Sequence, residues 1–396
     1  MQNRAIVAVL VVVLVIGMSA GIATGYYLNH QSSSKVSTLA VFAAGSLTSV
    51  LGNNFYPQFT NLTGIKVDPT FAGSVSGASE IDSGIPFDVF VSAAAGVIPQ
   101  YMFPNKTANW MVIFASNEMA ITWLNSSFSI TNPYWFENLT AAGVKVGVSN
   151  ASLDPSGFQA IEMVKLAGIL YTNWTNPYVK YAFNNDTKLF NTYNEAWNSW
   201  FGPNGNLVRD GLGNGYPLNY SMALYYQLFN YSYRHGNLIP TTEEFGLKDY
   251  LKSGSVDYAL TYKSQALNQK LDYYQKGKGI NGLSSWINLG NISKSEVTFY
   301  SEVTTAGPAY SDIGNFPGGP ILYSATIPTS SKNTQAAQQL IYYLITNLGS
   351  SMLRSSDFNP ISDPFIYSLG SSAPSFLSGI TQQVPSYLPT SSYEEV

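Results

Sequence analysis

From Leu39 onward, short apolar runs alternate with stretches of helical periodicity, and this alternation constrains the fold more than any other feature of the chain. Strand-length runs are expected at 38–43, 65–71, 87–91, 118–123, 144–148 and 256–262. Helices are expected over 156–170, 243–253, 263–275 and 334–348, the last with apolar residues at helical spacing from Thr334 to Leu344. Strands that alternate with helices predict an α/β fold with a mainly parallel sheet. Residues 173–240 depart from the pattern: they are rich in Asn, Tyr, Trp and Gly, with weak periodicity, and read as an elaboration rather than a separate domain. After Pro360 the chain is rich in Ser and Pro, so the tail is expected to drape over the surface or be partly disordered.

Two segments within this pattern read alike. Ala43-Ala44-Gly45-Ser46-Leu47 follows one apolar run, and Phe71-Ala72-Gly73-Ser74-Val75 follows the next. A Gly-Ser at a strand-to-helix turn offers a backbone open to close approach, a hydroxyl, and the bare N–H groups of a helix start. Those parts bind a small oxyanion without any formal positive charge. A single such turn is ordinarily a cap. Two in matching context suggest one anion held between two helix starts, with Ser76 able to share the role of Ser74.

Composition narrows the function. Charged residues make up 11% of the 396 residues, where soluble domains average about 25%. With a net charge of −4 and no run of Lys or Arg, there is no footprint for nucleic acid. Hydroxyls and amides supply the polar surface instead. They keep their hydrogen bonding where carboxylates protonate, so the exterior reads either as adapted to strongly acidic surroundings or as merely neutral. The absence of Cys removes disulfides, thiolate metal sites and Cys nucleophiles. The chain has two His, and a Ser-His-Asp hydrolase would rest on His235, with no Gly-x-Ser-x-Gly elbow beside it. Gly277-Lys278-Gly279-Ile280-Asn281-Gly282 spells a dinucleotide fingerprint but follows a helix-like stretch, so it reads as a loop. No enzyme and no cofactor are expected.

Residues 5–24 are uncharged and apolar, matching the ~20 residues that span a bilayer. Arg4 before the run and Tyr26 and Tyr27 after it predict a cytoplasmic N-terminus and an exported remainder. The run exceeds the ~7–15-residue core of a cleaved signal peptide, which favours an uncleaved anchor. Ten Asn-x-Ser/Thr sequons, at Asn61, Asn105, Asn125, Asn138, Asn150, Asn173, Asn185, Asn219, Asn230 and Asn291, are compatible with a glycosylated exterior protein.

The ordered set of segments resembles a family. Leu39 to Leu47, Ala72-Gly73-Ser74-Val75 and Phe87-Asp88-Val89-Phe90-Val91-Ser92 follow in the order seen in substrate-binding proteins of ABC transporters. Ala108-Asn109-Trp110 through Glu118, Leu153-Asp154-Pro155-Ser156-Gly157-Phe158, Val256 to Ser264 and Ile321 to Pro328 continue the match. The chain is most similar to the archaeal-type molybdate/tungstate-binding branch, over roughly 38–172 and 241–360. The resemblance implies an α/β, two-lobed periplasmic-binding-protein-like fold (type II) with hinge strands, here preceded by one transmembrane helix.

The implied organisation is an anchor or signal at 1–28, a Ser-rich tether at 29–37, lobe one at 38–122 plus 321–360, lobe two at 123–320 with the insertion 173–240, and a tail at 361–396. The chain is expected to leave lobe one near Thr122 and return near Ile321. The resemblance places the oxyanion on Ser46 and Ser74 from lobe one, with Asp154, the Thr241-Thr242 region (Thr242 foremost) and Tyr262 completing the cage from lobe two. Donors alone would reject protonated anions. Carboxylates can expand the metal's coordination in that branch; Asp154 fits one such role, and a second acid is expected near Thr261, where the chain has Thr. The implied partners are molybdate or tungstate and a membrane ABC permease, with a monomeric receptor on the outer side of the membrane. A carbohydrate receptor, with the aromatic insertion as stacking platform, and a non-transport glycosylated surface protein are the alternatives.

Overall fold

A computed structural model describes residues 38–130, 133–201, 220–274, 287–305, 316–370 and 373–389. The apolar span 5–24, the tether and the Gly277–Gly282 loop lie outside the described residues.

The apolar runs of the first third become β1 (Leu39–Ala44), β2 (Val67–Ala72) and β3 (Val89–Ser92), each within two residues of its expected start. β1 pairs in parallel with β2 on one side and with β3 on the other. β4 (Trp110–Ser116), β10 (Leu322–Thr326), β11 (Asn359–Ser368) and β12 (Gln382–Gln383) extend this sheet to the order β12-β11-β4-β10-β3-β1-β2. A second sheet contains β5 (Met119–Trp123), β6 (Val146–Ser149), β7 (Leu238–Thr241), β8 (Tyr258–Tyr262) and β9 (Asp272–Tyr273), in the order β7-β6-β8-β5-β9. These are the two sheets of the two-lobed α/β architecture. Central strands such as β4 and β8 are buried along their whole length, as expected where helices cover both faces.

The lobes join through a two-residue crossover. β4 ends in the first sheet at Ser116 and β5 begins in the second at Met119, so the chain leaves lobe one at Asn117-Glu118 rather than near Thr122, which already pairs with Ala259. The polar Asn-Glu pair interrupts what otherwise reads as one continuous apolar run. The return near Ile321 lies beside it, with Asn117 N–H donating to the Ile321 carbonyl at 3.2 Å and Ile321 N–H to that of Leu289 at 2.8 Å.

Three expectations are corrected. The chain after Pro360 does not simply drape: Phe365-Ile366-Tyr367 pairs with β4, and Pro360 is accommodated at a register shift, one of the places where strands tolerate Pro. The helix expected over 263–275 is Lys263–Asn268 and ends before Lys270, whose φ of 57° is left-handed, and β9 follows. Residues 173–240 are largely helical where described, and they end in β7. In the helix Thr187–Phe201, Phe190, Tyr193, Trp197 and Phe201 recur at helical spacing and are all buried. Tyr193 stacks on Tyr171 at 5.3 Å, and Trp197 meets Phe136 edge-on at 5.0 Å. These rings therefore form part of the core of lobe two. Burial of such rings contributes roughly 1.5–3 kcal/mol each.

Candidate functional site

Parallel strands place their C-terminal ends on one edge, and each lobe uses that edge. In lobe one Ala44 and Ala72 are register partners, so Ser46 and Ser74 each lie two residues beyond a paired strand end, on strands ~4.8 Å apart. The chain runs from β1 to β2 on one side and then crosses back to β3 on the other side of β1, and such a reversal of strand order opens a crevice at the strand ends. In lobe two β7, β6 and β8 run parallel, and their ends carry Glu243 and Glu244, Asp154, and Tyr262 respectively.

Both serines are buried. Ser74 Oγ accepts the Ala93 N–H, from the end of β3, at 2.9 Å. Ser46 Oγ lies 2.9 Å from the Tyr323 hydroxyl, and the Ser46 carbonyl accepts from Gln265 Nε2 at 2.6 Å. A hydroxyl whose oxygen accepts from the protein keeps its own proton for another partner.

Lobe two closes directly on these turns. A Cβ on Gly73 would meet the Leu153 carbonyl oxygen at 2.2 Å, and one on Gly45 would meet Phe245 Cδ1 at 2.8 Å. The Gly73 N–H bonds the Glu243 carboxylate. Asp154 caps the helix Pro155–Thr172: Oδ1 accepts the Ser156 N–H at 3.0 Å, while Oδ2 accepts the Glu244 N–H at 2.7 Å. Glu244 Oε1 accepts from the Thr261 hydroxyl and from the Tyr262 N–H. Glu244 Oε2 is buried and has no hydrogen-bond partner among the described residues.

Burial dominates the electrostatics of this acid pair. It raises Asp154 to about 6, against the pull of the Glu244 and Ser156 N–H groups and with a further push from Glu243. It raises Glu244 to about 8, with Asp154 adding to the rise and the Thr261 and Tyr262 bonds opposing it. The direction of the shift favours the protonated Glu244 carboxyl at neutral pH.

Ser46, Ser74, Asp154 and Tyr262 fall within one connected cluster. Tyr262 is a buried neighbour of Tyr323, at 6.3 Å between ring centroids, but its hydroxyl donates to Gln159 Oε1 at 2.6 Å, so its proton is already used. Thr242 is exposed and lies outside the cluster; its loop delivers Glu244 instead. An acid does lie near Thr261 in space: Glu244, 17 residues away in sequence, accepts from the Thr261 hydroxyl. Acceptors therefore accompany the donors in this cluster. Ser76 is half-buried. A cleft beside the cluster is lined by Val75, Ala94, Phe158, Gln159, Glu162 and Gly319, among others. His235 is exposed, stacks on Tyr231 and has its Nδ1 2.8 Å from the Tyr231 carbonyl oxygen.

The pattern of the family described as bacterial extracellular solute-binding protein matches residues 39–225. A solute-binding protein of Thermoplasma volcanium is 49% identical, over 98% of this chain and 97% of its own length. The molybdate/tungstate-binding protein WtpA of Pyrococcus abyssi is 26% identical, over 91% of this chain and 94% of the relative. The solved structure of the sulfate-binding protein SubI from Mycobacterium tuberculosis shares the fold at a TM-score of 0.51, with 11% identity, across 82% of this chain and 87% of that one.

Proposed function

The chain belongs to the extracellular solute-binding proteins, which are carriers rather than enzymes, and from that membership we propose that it captures molybdate or tungstate between its lobes for delivery to an ABC permease. The observation that carries the proposal is the pair of buried serines on adjacent strand ends, Ser74 with its oxygen accepting the Ala93 N–H and Ser46 with its hydroxyl 2.9 Å from that of Tyr323. A dianion in a dry cleft gains about 1.5–3 kcal/mol from each charge-assisted hydrogen bond.

The acid pair supports molybdate and tungstate over sulfate. Two buried carboxyls facing an anion repel it when ionised, unless the central atom takes them as ligands. Molybdenum and tungsten can expand their coordination in this way, whereas the sulfur of sulfate is closed to further ligands. With its proton, Glu244 donates to an anion oxygen; without it, Glu244 Oε2 and Asp154 are available to the metal. The name of the WtpA relative points the same way. Phe183, Phe190, Tyr193, Trp197 and Phe201 are core residues and offer no stacking platform to a carbohydrate. The uncharged span 5–24 supports a receptor held on the outer face of the membrane.

Ser46→Ala and Ser74→Ala are each expected to weaken tungstate binding by about 1–3 kcal/mol in calorimetry. Unchanged affinity in both variants would contradict the site.

A further inference from the structure

We infer that Asn117 and Tyr323 are positioning residues that orient the Ser46 hydroxyl as a donor into the cleft, an inference that rests on the oxyanion reading above. Asn117 lies in the crossover between the lobes and is fully buried. Its Oδ1 accepts the Glu118 N–H at 2.9 Å, which fixes which end of the amide is which. Nδ2 therefore faces the other way and gives its protons to Ser264 Oγ at 2.8 Å and to the Tyr323 hydroxyl at 3.1 Å.

The Tyr323 oxygen thus already accepts one bond, and its single proton has the Ser46 oxygen, 2.9 Å away, as its acceptor. Were Ser46 the donor instead, the Tyr323 proton would be buried without a partner, a cost that folded proteins avoid. Ser46 Oγ accepts, so its own proton is left for the ligand. The ring of Tyr323 is held edge-on by Phe358 at 5.2 Å and by Tyr262 at 6.3 Å, so the hydroxyl is not free to swing. Tyr323 and Ser46 both belong to lobe one and Asn117 to the crossover, so the relay does not depend on closure, while the Asn117 bond to Ser264 ties it to lobe two.

The test uses the full-length chain, tungstate calorimetry, and a measurement made without ligand. Tyr323→Phe removes the orienting proton, and tungstate affinity is expected to fall several-fold. Asn117→Asp replaces the amide donor by an acceptor of the same shape. The Tyr323 proton then turns to the new carboxylate, and the Tyr323 oxygen competes with the anion for the Ser46 proton; tungstate affinity is expected to fall several-fold. In the Ser46→Ala background both effects are expected to shrink. Penalties that persist undiminished in that background overturn the relay, because they reflect packing or bulk charge.

In ligand-free protein with labelled tyrosine, a nuclear Overhauser contact from the Tyr323 hydroxyl proton to the Ser46 β-protons is expected. A hydroxyl proton directed at Asn117 overturns the relay whether or not tungstate binds. A wild-type chain that binds no tungstate overturns the oxyanion reading, while the ligand-free measurement still decides the relay.

Discussion

Gly73→Ala is expected to abolish high-affinity capture while leaving the fold standing. The backbone at Gly73 has φ −62° and ψ 137°, which any residue adopts, so glycine is not required there for conformation. It is required for space. A Cβ at this position would lie 2.2 Å from the Leu153 carbonyl oxygen and 2.9 Å from its carbon, both backbone atoms at the entry to a buried helix. Those atoms belong to lobe two, so the clash arises only on closure. Gly45 is the instructive contrast: its obstruction is the ring of Phe245, which is 43% exposed and can turn aside, so Gly45→Ala should cost far less. For Gly73→Ala, the tungstate dissociation constant is expected to rise by at least about a hundredfold, roughly 3 kcal/mol, with unfolding stability changed by less than about 1 kcal/mol. Ligand-induced compaction in small-angle scattering should vanish. Wild-type affinity with normal compaction would show that the lobes do not close as described.

The second large effect concerns pH. Asp154, Glu162 and Glu244 are each buried, and burial raises them from ordinary carboxyl values near 4 to about 6, 8 and 8. Between the unfolded and folded values the native chain holds more protons than the unfolded one, so stability falls as pH rises through that window. The stabilising protonated state is complete below about pH 4 and is lost progressively up to about pH 8. Each tenfold gain in proton affinity on folding corresponds to about 1.4 kcal/mol, and even with Asp154 and Glu244 titrating as a pair the sum amounts to several kcal/mol. Lys165, lowered to about 8 by burial, acts only above this window. Denaturant unfolding of the ligand-free chain is therefore expected to show greater stability at pH 5 than at pH 8, and Glu244→Gln is expected to flatten the profile. Equal or greater stability at pH 8 would contradict the burial of these acids. The direction suits a chain whose surface carries few charges to be lost in acid.

Much of this architecture is legible in the sequence, because parallel strands are short continuous apolar runs. β1, β2, β3 and β6 are found within two residues of where those runs begin, and the Gly-Ser turns follow from them. Ser46 and Ser74 are local in origin: strand end, turn, hydroxyl. Glu244 is not. It reaches Thr261 because β6 lies between β7 and β8 in the second sheet, an order that no local pattern encodes. Thr242 fails as a candidate for a related reason, since a loop leaving an edge strand alternates inward and outward faces, and the sequence does not show which residue turns in. The crossover is misplaced by a few residues because Asn117-Glu118 is a short polar break within a longer apolar stretch. Helix Thr187–Phe201 does carry a readable signal, its aromatics at helical spacing, obscured by the Asn-rich composition around them. β11 is hidden by the Ser and Pro flanking Phe365-Ile366-Tyr367.

Calorimetry of the purified chain against tungstate, molybdate, sulfate, phosphate and an oligosaccharide tests the central claim most directly. Binding of tungstate or molybdate in the nanomolar range, with sulfate, phosphate and the oligosaccharide silent, is the expected result. Heat with the oligosaccharide alone, or silence with every ligand, would contradict it.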